Sequence, residues 1–448
     1  MTAVTQTATL DREQLEALVA EALDAARSNG ADQAEAAASA DMGLSATARF
    51  GEVEHLEYTN DRGLWVTVYH GSRKGSASTS DVTPAAVREA VAKACSFARH
   101  TAEDPYAGLA DADRMCTETM DLDLDHPWAL DAESAIRLAI ECERAGLSTD
   151  ARLNNSEGAT VATNRGARAY GNTHGFVGSY TKTSHSVTCV LLAGQDDEMQ
   201  RDYYYTASRD PADLESAEHV GREAARRTLA RLGARKPKTT KAPVLFVPEL
   251  ARGFLGHLIG AISGGAQYRR ASFLLDAAGE TLFPDFVSIE ERPHLAKGMA
   301  SAAYDAEGVA TVDRDLVRDG VLQGYVLGSY SARRLGLQTT GNAGGTHNLI
   351  VPGNGGDLAS LRAEMGTGLV VEELIGHGVN PVTGDYSRGA VGHWVENGEI
   401  AYPVHELTIA GNLRDLFARI ERIGDDQDLR GGLRCGSLLV GEMTLAGS

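Results

Sequence analysis

Gly233-Ala-Arg-Lys-Pro-Lys-Thr-Thr-Lys-Ala-Pro243 separates two halves of the chain that are patterned differently. The stretch is short, polar and punctuated by Pro237 and Pro243. Proline disfavours the helical region for the residue before it, so a helix arriving from upstream ends before this point. The apolar run Val244-Leu245-Phe246-Val247 then begins a new element. A chain of 448 residues is long for one core, and its 43% hydrophobic content is ample for two. The division is therefore placed here, with an N-terminal domain of helices mixed with antiparallel strands over residues 1–235. A β-rich C-terminal domain follows over residues 236–448, which makes the fold class α+β.

Upstream, Asp11 followed by Gln14 reads as a helix cap, and Leu15, Leu18, Val19, Ala22 and Leu23 form a helical stripe that stops at Gly30. Over residues 44–79 the pattern turns to alternation, with Leu64, Val66 and Val68 on one face and a turn expected at Asn60-Asp-Arg-Gly63. Thr83-Pro84 starts a helix through Ala98, since proline in the first turn lacks only a donor that would go unused there. Further helices are expected over residues 131–145 and 214–232. Between them lie strands turning at Asn155-Ser-Glu-Gly158, Asn164-Arg-Gly166 and Gly171-Asn-Thr-His-Gly175. Downstream, short alternating runs rich in glycine surround one helix over residues 249–261, and no solenoid repeat is present.

A formal net charge of -20 and a pI near 5.1 repel polyanions, which argues against direct binding to nucleic acid or to an anionic membrane. The five cysteines, Cys95, Cys116, Cys142, Cys189 and Cys435, are scattered without a C-x-x-C pair, and the odd count fits a reducing cytoplasm. Residues 1–10 are polar, with neither a basic start nor an apolar run of signal-peptide length. No segment approaches the roughly 20 apolar residues of a membrane span. A soluble cytoplasmic protein is expected.

Three blocks of the second half carry a resemblance. They are Gly253-Phe-Leu-Gly-His257 through Ile262-Ser-Gly-Gly265, Ser329-Tyr-Ser-Ala-Arg333 through Gly341-Asn-Ala-Gly-Gly345, and Gly384-Asp-Tyr-Ser-Arg-Gly389. With Gly366-Thr-Gly368, Thr408-Ile-Ala-Gly-Asn412 and the ending around Cys435-Gly-Ser437, they resemble the TldD/PmbA metallopeptidase family over nearly the whole chain. Within it the PmbA (TldE) type of subunit is the nearest match. The resemblance implies a heterodimer with a TldD-type zinc subunit that cleaves peptides and unstructured segments, as in microcin-type maturation and antitoxin breakdown. It also implies an association with modulation of DNA gyrase, for which the acidic balance makes direct DNA contact a poor explanation.

The resemblance places Gly256-His257-Leu258-Ile259-Gly260-Ala261 where TldD carries H-E-x-x-x-H, so the three working positions read Gly256, His257 and Ala261. Glycine and alanine have no side chain that can hold a metal, and one imidazole replaces the glutamate base. No catalytic residue and no metal are therefore expected in this chain, and zinc is expected in the TldD partner. His257 itself reads as a helix histidine beside a glycine-rich turn, with a residual role in the peptide cavity as the alternative.

Other chemistries fare worse. His405-Glu406 begins H-E-x-x-H but lacks the second histidine, and His294, His347, His377 and His393 have no ligand spacing. Cys435 resembles the place of a cysteine near the TldD metal, yet without the histidines it reads as a small core residue. The glycine-rich loops at 336–341 and 353–356 lack the residues of a phosphate or dinucleotide site and read as turns. Ser329, Ser331 and Ser387 have acids and histidines elsewhere in the chain but no assembled triad. Candidates for substrate or partner contact are His257, Tyr330, Arg333, Asn342, Asp385, Tyr386 and Arg388, on a surface where an extended peptide adds to a strand edge. Turn and buried-polar roles explain the last six equally well. Two alternatives stand beside the subunit reading: an autonomous peptidase with an unrecognised site, and a non-enzymatic peptide-binding or gyrase-modulating protein.

Overall fold

The computed structural model describes residues 11–118 and 120–447, so the polar opening stretch at 1–10 lies outside the described residues. Asp11 and Gln14 exchange side-chain and backbone hydrogen bonds, and the expected capping box opens α1 (Arg12–Ser28). Leu15, Val19, Ala22, Leu23 and Ala26 are its buried stripe.

Strands β1 (Gln33–Arg49) and β2 (Glu52–His70) form a long hairpin, and β3 (Arg73–Thr79) lies against the second half of β2. The hairpin turns at Phe50 and Gly51, both with positive φ (52° and 76°), the conformation that matches the twist of two-residue hairpins. Asn60-Asp-Arg-Gly63 does not turn. Those residues pair in register with Met42, Asp41, Ala40 and Ser39 of β1. A slip there would carry Leu64, Val66 and Val68 off the buried face, so long-range pairing overrides the local turn propensity.

Helix α2 (Pro84–His100) starts at Pro84 behind the Thr83 cap, and α3 (Ala132–Leu147) is capped by Asp131. Strands β4 (Leu153–Asn172), β5 (Val177–Ala193) and β6 (Gln200–Ser208) precede α4 (Ala217–Ala230). Of the three turns expected here, only residues 171–175 reverse the chain. The 155–158 stretch holds register shifts within β4, and 164–166 continues as paired strand.

The first sheet is antiparallel with the order β3-β2-β1-β4-β5-β6. One face is covered by α1 and α2 at one end and by α3 and α4 at the other. Small side chains such as Ala36, Ala38, Ala46 and Ala169 let the helices sit close. Closest of all are α3 and α4, where a Cβ built on Gly221 would stand 2.0 Å from the Cys142 carbonyl oxygen. The opposite face turns towards the second half of the chain.

That half contains β7 (Thr240–Phe246), α5 (Pro248–Ala261), α6 (Gly264–Tyr268), β8 (Ile289–Glu291), β9 (Arg314–Arg318) and β10 (Val321–Leu322). It continues through α7 (Ser329–Leu335), β11 (Leu349–Ile350), α8 (Leu358–Met365), β12 (Gly368–Ile375), β13 (Asp385–Glu396) and β14 (Glu399–Asn412). It ends with α9 (Leu413–Ala418), β15 (Ile420–Ile423), β16 (Leu433–Arg434) and β17 (Leu438–Ala446). Strands dominate it, and the protein is α+β. Its main sheet runs β14-β13-β12-β7-β17-β15, and β14 also pairs with β17, so the sheet closes on itself. Val244 and Phe246 of β7 pack with Phe254, Leu255 and Leu258 of α5 in one core. Alternate residues Leu245 and Val247 meet Leu361 of α8 on the other side. Each such fully buried large side chain contributes about 1.5–3 kcal/mol. Among the described residues no helix is long and apolar enough to cross a membrane.

Candidate functional site

Pro248 enters α5 in its first turn, and Gly253, Gly256 and Gly260 each face open space, with nothing within 4 Å of a built Cβ. His257, half-buried, lies beside them with its ring 5.9 Å from that of Tyr386 and edge-on to it. Burial, with Arg388 adding to it, pushes the His257 pKa below the ordinary imidazole value, so the ring is neutral at pH 7. Ala261, five residues beyond Gly256, is packed into the core.

A zinc ion needs three or four nitrogen, sulfur or oxygen ligands. Position 256 offers empty space, position 261 a buried methyl group, and His257 one nitrogen pair. Cys435 is fully buried, its thiol donates to the Gly436 carbonyl at 3.3 Å, and burial followed by Asp426 pushes its pKa up, away from thiolate. These residues do not fit a zinc ion. Among the described residues no group of three or more His, Cys, Asp or Glu side chains is gathered for a metal.

The candidate contact residues fall into three places. His257, Asp385, Tyr386 and Arg388 surround the start of β13. Tyr386 is buried between Phe254 and His257, Arg388 reaches the Ile375 and Leu374 carbonyls at 3.4 and 3.5 Å, and exposed Asp385 accepts from Thr383 Oγ1 at 2.7 Å. Tyr330 and Arg333 lie on α7 and tie it to the first half. Tyr330 donates to Asp104 at 2.8 Å, and Arg333 donates to the Tyr106, Gly108 and Leu109 carbonyls and to Asp111. Asn342 is buried elsewhere and donates to Glu291 at 2.7 Å.

Two polar assemblies escaped the sequence reading. Glu291, 1% exposed, accepts from Asn342, from the His347 backbone and ring (2.7 and 3.1 Å), and from Arg314 (2.7 Å). Burial raises its pKa, but these donors outweigh burial and hold it down at about 2. The second assembly lines a cavity of about 720 Å³ between the halves. There Glu249 binds Arg227 at 2.7 Å and Arg430 at 2.9 Å, and Asp428 binds Arg430 and Arg252 at 2.8 and 3.1 Å. Burial opposes the charge on Glu249 too, and the two guanidinium groups still pull it down to about 2. Apart from Asp428 and Arg430, which are near neighbours in the chain, these partners come from separate segments, and nothing in local spacing marks them.

The PmbA/TldA metallopeptidase family models match in three consecutive parts: domain 1 over residues 34–98, the central domain over 125–232 and the C-terminal domain over 239–447. The chain is 49% identical over 436 residues to Metalloprotease PmbA of Escherichia coli O157:H7, covering 97% of each. Among solved structures it is similar to a Bacteroides thetaiotaomicron protein named for modulation of DNA gyrase, with a TM-score of 0.93 and 26% identity, covering 98% of this chain and 100% of that one. TldE from Thermococcus kodakarensis shares the fold, with a TM-score of 0.83 at 17% identity over 96% of this chain and 100% of that one.

Proposed function

This chain belongs to the PmbA/TldD metallopeptidase family, and we propose that within it the chain is the TldE-type subunit of a heterodimeric peptidase, without a zinc site of its own. The observation that carries the reading is the state of α5, where Gly256 stands beside empty space, Ala261 is inside the core and His257 is a single neutral imidazole. A TldD-type partner supplies zinc, its ligands and the base. This chain completes the cavity, holds an extended peptide or unfolded segment and stabilises the partner. Microcin-type maturation and antitoxin breakdown in the cytoplasm are the settings proposed. The charge of -20 argues against direct nucleic-acid contact.

The test is zinc content, by plasma mass spectrometry, and cleavage of an unstructured peptide. Both are measured on the chain purified alone and after co-expression with the TldD-type partner. Zinc and cleavage are expected only with the partner. Stoichiometric zinc and cleavage by the lone chain would establish the autonomous-peptidase alternative, and peptide binding with no cleavage in either preparation would favour the non-enzymatic one.

A narrower prediction concerns His257. Its imidazole packs against Tyr386 and has no ligand partner at positions 256 or 261, so His257→Ala is expected to change cleavage by the complex less than about fivefold, under ~1 kcal/mol in activation free energy. A loss of a hundredfold or more, with the complex still assembled on gel filtration, would place His257 in the chemistry.

A further inference from the structure

A cleft of about 790 Å³ lies between the open face of the first sheet and the second-half loops at 299–306 and 343–347. It holds more positive charge than its own acids neutralise. The β4–β5 pairing sets Arg168 opposite Tyr180 and Gly166 opposite Lys182, which puts Arg168, Tyr180 and Lys182 on the face away from the helices. Arg168 is neutralised by Asp41 at 2.8 Å. Lys182 is not: its ammonium stands 5.8 Å from the centre of the Tyr180 ring, and among the described residues it has no carboxylate in ion-pair range. Among the described residues Arg209, 6% exposed, has no acid in ion-pair range either; it donates to the Thr183 and Met299 carbonyls, and its buried Nε has no hydrogen-bond partner among them.

The acid in the cleft is already committed. Asp305 accepts the backbone N–H groups of Glu307, Val309 and Ala343 at 2.9–3.0 Å. His347, also on the wall, is held by Glu291. Burial, Arg209 and Arg168 all lower the Lys182 pKa, and Asp41, already paired with Arg168, opposes them only from a distance. An anion placed there would relieve two cations at once. Trp65, Tyr180 and Tyr304 supply aromatic walls around it, suited to the apolar parts of a peptide.

We propose that this cleft is a carboxylate-binding site, in which the Lys182 ammonium, backed by the charge of Arg209, holds the free C-terminus or an acidic side chain of a peptide. The assignment deepens the peptide-handling reading above and rests on it. A carboxylate gives Lys182 a charge-assisted hydrogen bond in a partly enclosed site, where salt screens less than on an open surface. The chain's overall negative field works against anions at long range, so recognition is confined to this cleft.

The experiment is fluorescence anisotropy on the full chain with a rhodamine-labelled glycine-alanine-serine peptide. The peptide is made as the free acid, as the C-terminal amide, and as the amide with an internal glutamate. The free acid is expected to bind at least about tenfold more tightly than the plain amide. Lys182→Met should erase that difference and Lys182→Arg should keep it, with melting temperatures confirming that both variants fold. If the glutamate-bearing amide matches the free acid, side-chain carboxylates are accepted too; if it matches the plain amide, the site reads C-termini. Equal affinity for acid and amide, no binding of either at about 1 mM, or a preference that survives Lys182→Met would overturn the assignment. Binding is read without zinc or cleavage, so the subunit reading and this one fail separately. Zinc in the lone chain overturns the first and leaves the charge preference standing. Absence of the preference beside partner-dependent cleavage does the reverse.

Discussion

Glu291→Ala is expected to destabilise the chain by about 3–5 kcal/mol, because removing one member of a buried charged assembly leaves the others desolvated and unpaired. Arg314, Asn342 and the His347 backbone and ring all lose their acceptor in one step. Glu291→Gln separates charge from volume. A glutamine must aim its NH2 group either at Arg314 or at the Asn342 and His347 donors, so it should still cost about 2 kcal/mol or more. Urea denaturation followed by circular dichroism measures both, and a midpoint for the alanine variant within error of the parent would show that the assembly is not what holds these strands. The effect reaches function as well. Asn342 and His347 flank the 343–347 loop on the wall of the Lys182 cleft, so Glu291→Ala should also loosen peptide binding there.

The second large effect is loss of stability in acid. Glu249 and Glu291 both sit at about 2 in the folded chain, below the ordinary glutamate value near 4.3. A depressed carboxyl pKa contributes stability above the unfolded value, and that contribution disappears as pH falls from about 4.5 towards 2. Each group accounts for about 3 kcal/mol on this linkage. Asp305 has the opposite sign, since burial pushes it up to about 6, against the backbone donors that lower it. It favours folding when protonated, and that contribution is lost as pH rises through 6. Burial raises Glu35 in the same direction, even though Tyr170 and Tyr69 donate to its carboxylate. Stability should therefore climb modestly from pH 7 to about 5 and then fall steeply below about 4.5. Urea midpoints across that range test the shape. A profile flat between about pH 5 and 3 would sink the account, and Glu249→Gln combined with Glu291→Gln should remove the steep limb while lowering stability at neutral pH.

Helix starts were legible because their causes are local. Asp11 with Gln14, Thr83 with Pro84, and Asp131 each act within one turn, and α1, α2 and α3 begin where those residues stand. Turns were less legible. Asn60-Asp-Arg-Gly63 carries turn residues yet runs straight through β2, because the neighbouring strand satisfies its backbone and the buried alternation holds the register. Gly171-Asn-Thr-His-Gly175 does turn, because there β4 ends and β5 folds back upon it.

For the candidate residues, sequence spacing could not tell a surface from a tie. Tyr330 and Arg333 lie in a motif-rich segment, but their partners Asp104 and Asp111 are more than two hundred positions away, and Asn342 meets Glu291 across fifty-one. Hydrogen-bond partners at such separations are chosen by strand order and loop packing, which no local pattern records.

Sequence alone determined the α+β character, the capped helices, the acidic balance and one chemical fact that no fold can alter: Gly256 and Ala261 carry no side-chain atom able to bind a metal. That holds because each depends on the side chain itself or on neighbours within a turn of it. Tertiary structure alone decided the closing of β14 onto β17, the gathering of donors around Glu291, and the meeting of Lys182 and Arg209 in a cleft without an acid to spare. Those arise from pairings between distant parts of the chain, where burial sets the strength of each charge and only the assembled fold says which charges remain unpaired.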